Sequence, residues 1–204
     1  MKCMKKKLPV YQLTIDVEND AIVSAISLVD EPAIESNFLA FSKQQKLEFK
    51  TNEELMELLG AAMISDQLIY RIDPETGEEF NVYFSADTIR QIAQQYFKMG
   101  FQNSMNINHT AIPAHSYIFQ SYIVDKTKGM LAPKGIDVPN GSWIVGVKVT
   151  DKSVWDSIKQ GKINGFSIEG LFQFIQGKFN KNNNDEDAEI MELLQQINQR
   201  IKNK

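Results

Sequence analysis

Two residues far apart in the chain are of the types that make a nucleophile and its base. The serine is Ser167 in Gly165-Phe166-Ser167-Ile168-Glu169-Gly170, and the histidine is His109 in Asn106-Ile107-Asn108-His109-Thr110. A neutral imidazole can accept the hydroxyl proton and later return it to a leaving amine, which is the chemistry of a serine peptidase. His109 and His115 are the only two histidines, so a mechanism that needs an imidazole has few ways to be built. His115 stands in reserve as the base, as a third triad member, or as a bystander. A third group must orient the ring, and carboxylates are the usual choice. Glu169 is the candidate, because alternation along a strand puts it on the same face as Ser167. Two residues along a strand separate side chains by roughly 6–7 Å, which makes Glu169 a neighbour of the nucleophile first. The acidic run Asp185, Glu186 and Asp187 reads better as a helix start. Gly165 and Gly170 would let a substrate or another backbone segment come close and leave amide N–H groups for an oxyanion. Against all this stands a plainer reading: most strand serines are satisfied or exposed, and a loop histidine is ordinary surface.

The elements that must position these residues are legible in outline. Val10 to Val17 and Ala21 to Val29 read as a hairpin turning at Glu18-Asn19-Asp20, followed by an extended crossing segment from Ala33 to Lys50. Asn52 with Leu55, Leu58 and Leu59 predicts a short helix ended by Gly60. Gln67 to Ile72 and Phe80 to Phe84 predict a second hairpin around Asp73-Pro74-Glu75-Thr76-Gly77. Ser85 is an N-cap, with Ile89, Ile92, Ala93, Tyr96 and Phe97 at helical spacing until Gly100. Strands are expected at Met105 to Asn108, Ser116 to Val124 and Ser142 to Val149, the last two joined by the turn-rich Lys126 to Gly141. Thr150-Asp151-Lys152-Ser153 leads into a helix with Val154, Trp155 and Ile158 inward, closed by Gly161, and Ile163 to Phe174 returns as one strand. His109 then follows a strand directly, where a scaffold commonly holds a functional side chain.

Beyond residue 174, Asn180 to Asn184 read as a linker. Ile190, Leu193, Leu194, Ile197 and Ile201 form one face of a terminal helix, with acids at its start and Arg200, Lys202 and Lys204 at its end. That helix either packs on its own domain or recruits a partner. The expected organisation is one domain over residues 1–179, of which 9–50 are the N-terminal hairpin and crossing segment, a linker at 180–184 and a helix at 185–204. The class is α+β, with a mostly antiparallel sheet or barrel.

Composition excludes several functions. With 204 residues and 43% hydrophobic content, the chain can build a real core. A net charge of -4 argues against holding nucleic acid, which depends on clustered Lys and Arg. The basic cluster Lys2 to Lys7 is followed by no uninterrupted apolar run and reads as a solvated start rather than a secretory signal. No stretch approaches the 18 or so apolar residues of a membrane span, so a soluble protein is expected. A lone Cys3 leaves no intrachain disulfide and no cysteine metal site. There is no P-loop, dinucleotide fingerprint or HExxH, and two histidines six positions apart match no metal spacing.

Several ordered segments together resemble a known family, the phage serine proteases of the XkdF type, related to the prohead maturation proteases of tailed phages. They are Ser27-Leu28-Val29-Asp30-Glu31-Pro32-Ala33-Ile34, Asn108-His109-Thr110, Gln120-Ser121-Tyr122-Ile123-Val124, Asn140 to Val149 and Val154 to Ile168. The resemblance spans roughly residues 10–175, and its final block is the most specific. It implies a herpesvirus-assemblin-like β-barrel flanked by helices and a His/Ser catalytic pair, with Ser167 as nucleophile and His109 as base. The third member does not transfer, and Gln120 occupies a position that is often acidic in relatives. The implied function is a serine endopeptidase that digests scaffold and capsid-protein extensions inside the immature prohead, in the cytoplasm of a bacterial host, without metal, nucleotide or other cofactor. Expected partners are the scaffold and the major capsid protein, with self-association and self-cleavage also in view, and neither nucleic acid nor membrane. Two rivals from other classes remain. One is a catalytically inactive protease-fold protein with a structural role in capsid assembly, and the other is a binding module acting through its tail helix.

Overall fold

The computed structural model describes residues 8–16, 18, 22–30, 50–52 and 55–176. Cys3, the basic cluster, most of the crossing segment, the linker and the terminal helix lie outside the described residues. Eleven strands and two α-helices follow one another among the described residues. The strands are β1 (Val10–Thr14), β2 (Val23–Val29), β3 (Lys50–Asn52), β4 (Glu57–Met63), β5 (Ile69–Ile72), β6 (Glu79–Tyr83), β7 (Met105–Ile107), β8 (Ser116–Ile123), β9 (Trp143–Val149), β10 (Gly165–Gly170) and β11 (Gln173–Gln176). The helices are α1 (Ala86–Lys98) and α2 (Lys152–Lys159). They assemble as three sheets, ordered β10-β2-β7, β3-β4-β9-β8 and β11-β1-β6-β5. The α+β class holds. Where a barrel is expected, the strands of the described residues are divided among three sheets and form no closed barrel.

Apolar patterning explains the core. Ile26 and Leu28 of β2, Ile89, Ile92 and Tyr96 of α1, Trp143, Val145 and Val147 of β9, Trp155 and Ile158 of α2 and Phe166 of β10 belong to one buried cluster. Burying each such side chain contributes about 1.5–3 kcal/mol. The Tyr96 and Trp143 rings meet edge-on with centroids 5.6 Å apart, which ties α1 to the face of β9. Helix α1 starts as expected, with Ser85 Oγ accepting from the Thr88 amide. The hairpin β5–β6 also forms as read, with Asp73 Oδ1 accepting from the Glu75 and Thr76 amides in its turn.

Three expectations fail for tertiary reasons. β1 and β2 do not pair with each other: β1 lies between β11 and β6, while β2 lies between β10 and β7. Both β1–β6 and β2–β7 are parallel pairings, so the antiparallel pattern is only predominant. The helix read around Leu55 to Gly60 is a strand instead. β4 is covered on both edges by β3 and β9, and Leu58 and Ala61 to Met63 are buried, so a doubly buried strand imitated a short helix. The single strand from Ile163 to Phe174 is two, β10 and β11, because the chain breaks at Leu171-Phe172 and changes sheet.

Helix α2 sets the approach to β10. Asp151 caps it, its Oδ1 accepting from the Ser153 and Val154 amides. The Ser153 hydroxyl bond, then the Val154 and Ser153 amide bonds, hold the Asp151 carboxyl below its ordinary value of 3.8. A carboxylate lowered in this way stabilises the fold fully above that ordinary value, and the contribution fades as the pH falls through the lower folded value. Asp151→Ala should therefore lower Tm at neutral pH, with the gap to wild type closing below about 3.8 in a pH series of thermal melts. A gap that stays constant into acid would show that the ionised form is not what caps the helix.

Candidate active site

Sheet β10-β2-β7 builds the site from three strands. In its register Ser167 of β10 faces Ser27 of β2, and Ser27 faces Asn106 of β7. Side chains at one level of adjacent strands share a face, so three polar residues stand in a row across a sheet whose neighbouring positions, Ile26, Leu28 and Phe166, are core. Ser27 is wholly buried, and Ser167 is 7% exposed.

His109 reaches this row from a tight turn just after β7. The Thr110 amide donates to the Ile107 carbonyl at 3.0 Å, closing a four-residue turn with Asn108 and His109 in the middle. Both central residues have positive φ, 49° at Asn108 and 55° at His109, which is the type I′ signature. Asn108 suits that conformation, and His109 adopts it at a modest cost. Asn108 also binds the end of β2: its amide donates to the Leu28 carbonyl at 3.0 Å, and its Oδ1 accepts from the Asp30 amide at 3.1 Å. On the other side, the Asn164 amide donates to the Val29 carbonyl at 2.8 Å and its Nδ2 to the Asp30 carbonyl at 3.2 Å. The end of β2 is thus clamped from both flanks, one leading to His109 and the other to Ser167.

The turn delivers the imidazole between the two serines. His109 Nε2 lies 3.0 Å from Ser167 Oγ, and Nδ1 lies 3.1 Å from Ser27 Oγ. The histidine side chain is 12% exposed, so little water competes for either nitrogen. Ser27 Oγ donates to Asn106 Oδ1 at 2.7 Å, and Asn106 Nδ2 donates to Glu169 Oε2 at 2.7 Å. Glu169 is half exposed, and its Oε2 stands 3.7 Å from His109 Nδ1, beyond hydrogen-bond reach but within ion-pair range of a protonated ring. Ser167, His109 and Glu169, all singled out by residue type, are brought together. Ser27 and Asn106 join them without having chemistry that residue type alone announces. The available signal was a lone serine inside the apolar run Ile26-Ser27-Leu28-Val29 and an asparagine three residues before the histidine.

Two other candidates fall elsewhere. His115 is exposed at the start of β8, beside Asp151, with its carbonyl accepting from the Thr150 amide and hydroxyl. Among the described residues its ring bonds to neither Ser167 nor His109, which corrects its reserve role as base or third member. Gln120 lies on exposed β8 over Gly146, where a Cβ would meet Gln120 Cβ at 2.8 Å, in a different sheet from the site. Gly170 has the second of the two uses foreseen for it. A Cβ there would lie 2.4 Å from the Ile22 carbonyl oxygen, so the space is filled by backbone leading into β2. No group of three or more His, Cys, Asp or Glu suited to a metal is found among the described residues.

A largely buried histidine thus stands between two serines, with a carboxylate 3.7 Å from its Nδ1. Residues 59–176, more than half of the chain, match the model of the family described as "Putative phage serine protease XkdF". The chain belongs to that family, and the match contains Ser167, His109, Asn106 and Glu169 but not Ser27. The protein is similar to two proteins of Bacillus subtilis strain 168. One is the uncharacterized protein YqbD, 23% identical over 159 residues, covering 77% of this chain and 47% of YqbD. The other is the phage-like element PBSX protein XkdF, 24% identical over 161 residues, covering 74% of this chain and 53% of XkdF. The chain spans about half the length of these relatives. No solved structure matches. Among the described residues, no helix is long and apolar enough to cross a membrane.

Substitutions at two positions test the scaffold. Asn108→Val and Asn108→Gly both lose the bond to the Asp30 amide, so their difference isolates the positive-φ backbone. The valine variant should be less stable than the glycine variant by about 1–2 kcal/mol in denaturant unfolding. Equal stability would remove the turn strain from the description. Gly170→Ala should cost about 1–3 kcal/mol, because its methyl meets backbone that cannot swing aside. An unchanged midpoint would mean that β2 and β10 separate easily there.

Proposed function

We propose that this protein is a serine endopeptidase of phage head maturation, cleaving scaffold and capsid-protein extensions inside the immature prohead in the bacterial cytoplasm. The observation that carries the reading is the 3.0 Å approach of His109 Nε2 to Ser167 Oγ on a rigid sheet. Membership of the XkdF family supports it. So does the likeness to a PBSX phage-element protein. Kinship with the assemblin-like proteases belongs to the same proposal.

In the mechanism, Ser167 Oγ attacks the scissile carbonyl carbon while His109 Nε2 takes the hydroxyl proton. The carbonyl π pair moves to oxygen, giving a tetrahedral oxyanion. When that collapses, the C–N bond breaks and His109 returns the proton to the leaving amine, leaving an acyl ester on Ser167. Water then attacks the ester carbonyl while His109 takes one of its protons; the C–Oγ bond breaks as His109 returns that proton to Ser167 Oγ, releasing the new carboxyl terminus and free Ser167. The residues need no metal for these steps. Such a protease acts on the scaffold and the major capsid protein as substrates, and self-association inside the prohead would concentrate enzyme and substrate together.

Co-expression with the scaffold and the major capsid protein, comparing wild type with Ser167→Ala and His109→Ala by intact mass, tests the reading. Cleavage by wild type that vanishes in both variants is expected, with a loss of about a hundredfold or more for either. Equal cleavage in all three removes this pair from the mechanism. Intact chains throughout, in proheads that still assemble, would favour a structural role in the capsid.

A further inference from the structure

We infer that His109 is held in its base form by a one-way hydrogen-bond chain that starts at the Glu169 carboxylate and runs through Asn106 and Ser27. The inference rests on the peptidase reading for its purpose, and on geometry alone for its direction. It makes Glu169 a positioning residue that acts through two others, rather than the direct partner of the imidazole.

Each link is fixed by the one before it. An ionised carboxylate only accepts, so the Asn106 atom 2.7 Å from Glu169 Oε2 is the amide nitrogen. That choice turns the Asn106 carbonyl oxygen toward Ser27. A carbonyl oxygen also only accepts, so Ser27 uses its single O–H on Asn106 Oδ1 at 2.7 Å. Ser27 Oγ then has lone pairs alone to offer His109 Nδ1 at 3.1 Å. Nδ1 must carry the ring proton, and Nε2 must present its lone pair to Ser167 Oγ at 3.0 Å. Reversing the direction would set an amide oxygen against a carboxylate oxygen at the first link. The two tautomers of a free imidazole are close in energy, and a general base with its proton on the wrong nitrogen cannot act. A chain ending in a group that cannot donate removes that ambiguity.

Position supports the assignment. Ser27 is fully buried in the central strand with both bonding directions occupied, and its two neighbours in the row are its register partners. The chain also folds back on itself. Glu169 Oε2 is 3.7 Å from Nδ1, so the ring that has gained a proton faces the same carboxylate that set its tautomer.

With only two histidines in the chain, long-range nitrogen–proton NMR of the 15N-labelled protein reads each ring separately, His109 being assigned by its loss in His109→Ala. In wild type at alkaline pH, His109 should be the Nδ1–H tautomer. Ser27→Ala removes the acceptor and should shift the ring largely to Nε2–H. Glu169→Gln, at a half-exposed position that tolerates change, frees the Asn106 amide to flip and should give a mixture. Cleavage should fall in both variants on the order of tenfold or more, in kcat rather than in KM. An Nε2–H ring in wild type, or an Nδ1–H ring unchanged in either variant, overturns the chain. A wild-type Nδ1–H ring that responds to both variants, in a protein that cleaves nothing, upholds the chain and sinks the peptidase.

Discussion

The site depends on the register of one central strand. β2 is hydrogen-bonded to β10 on one edge and to β7 on the other, and the level of Ser27 determines what stands beside it on each side. A slip of one residue would exchange the two faces of a strand. Here it would put Ile26 or Leu28 into the row and send Ser27 into the core without its partners. The apolar side chains at those two positions, both fully buried, oppose such a slip. The hydrophobic core therefore does more than stabilise the domain: by fixing which residues of β2 point inward, it fixes which serine stands against His109.

The second constraint is the tight turn at Ile107–Thr110. A longer loop would carry the histidine with more freedom and at less strain. The two positive-φ residues shorten the path so that a residue only two positions past β7 turns back over the sheet. The strain is local and is offset by bonds to the end of β2. Backbone held away from its preferred conformation is tolerated where surrounding structure over-determines it, and functional sites are where it collects. Asn108 and Asn164 provide that over-determination from opposite flanks of the same short segment.

These features explain what could be read from the sequence and what could not. Ser85 and the spacing of Ile89 to Tyr96 announce α1 because a capped amphipathic helix is a local object. The β5–β6 hairpin is equally local, fixed by the turn chemistry of Asp73 to Gly77. β1 and β2 read as a hairpin in the sequence because nearness along the chain stands in for pairing. Their real partners are up to 165 residues away, as in Tyr11 with Gln176. β4 reads as a helix because Leu58 and its neighbours are buried on both faces, which erases the alternation that marks a strand. In the site, Ser167, His109 and Glu169 were legible because their side chains have chemistry of their own. Ser27 and Asn106 were not, since a serine in an apolar strand and an asparagine before a turn gain meaning only from the register that aligns positions 27, 106 and 167.

Two serines flank one imidazole, and their surroundings differ. Each hydroxyl is within hydrogen-bond distance of a different ring nitrogen. Ser27 is sealed in the sheet, and its proton is directed to Asn106, so activation by His109 would require the amide to turn away from Glu169. Ser167 retains slight exposure, and its hydroxyl proton lies on the line to a nitrogen that has a lone pair to receive it. The same tautomer that makes Nε2 a base for Ser167 makes Nδ1 a donor to Ser27. In the proposed peptidase, one proton position therefore selects the nucleophile and silences its rival. That asymmetry traces back to a carboxylate able only to accept, which is how, in the proposed chain, a partly exposed glutamate at one end sets the tautomer of a largely buried histidine at the other.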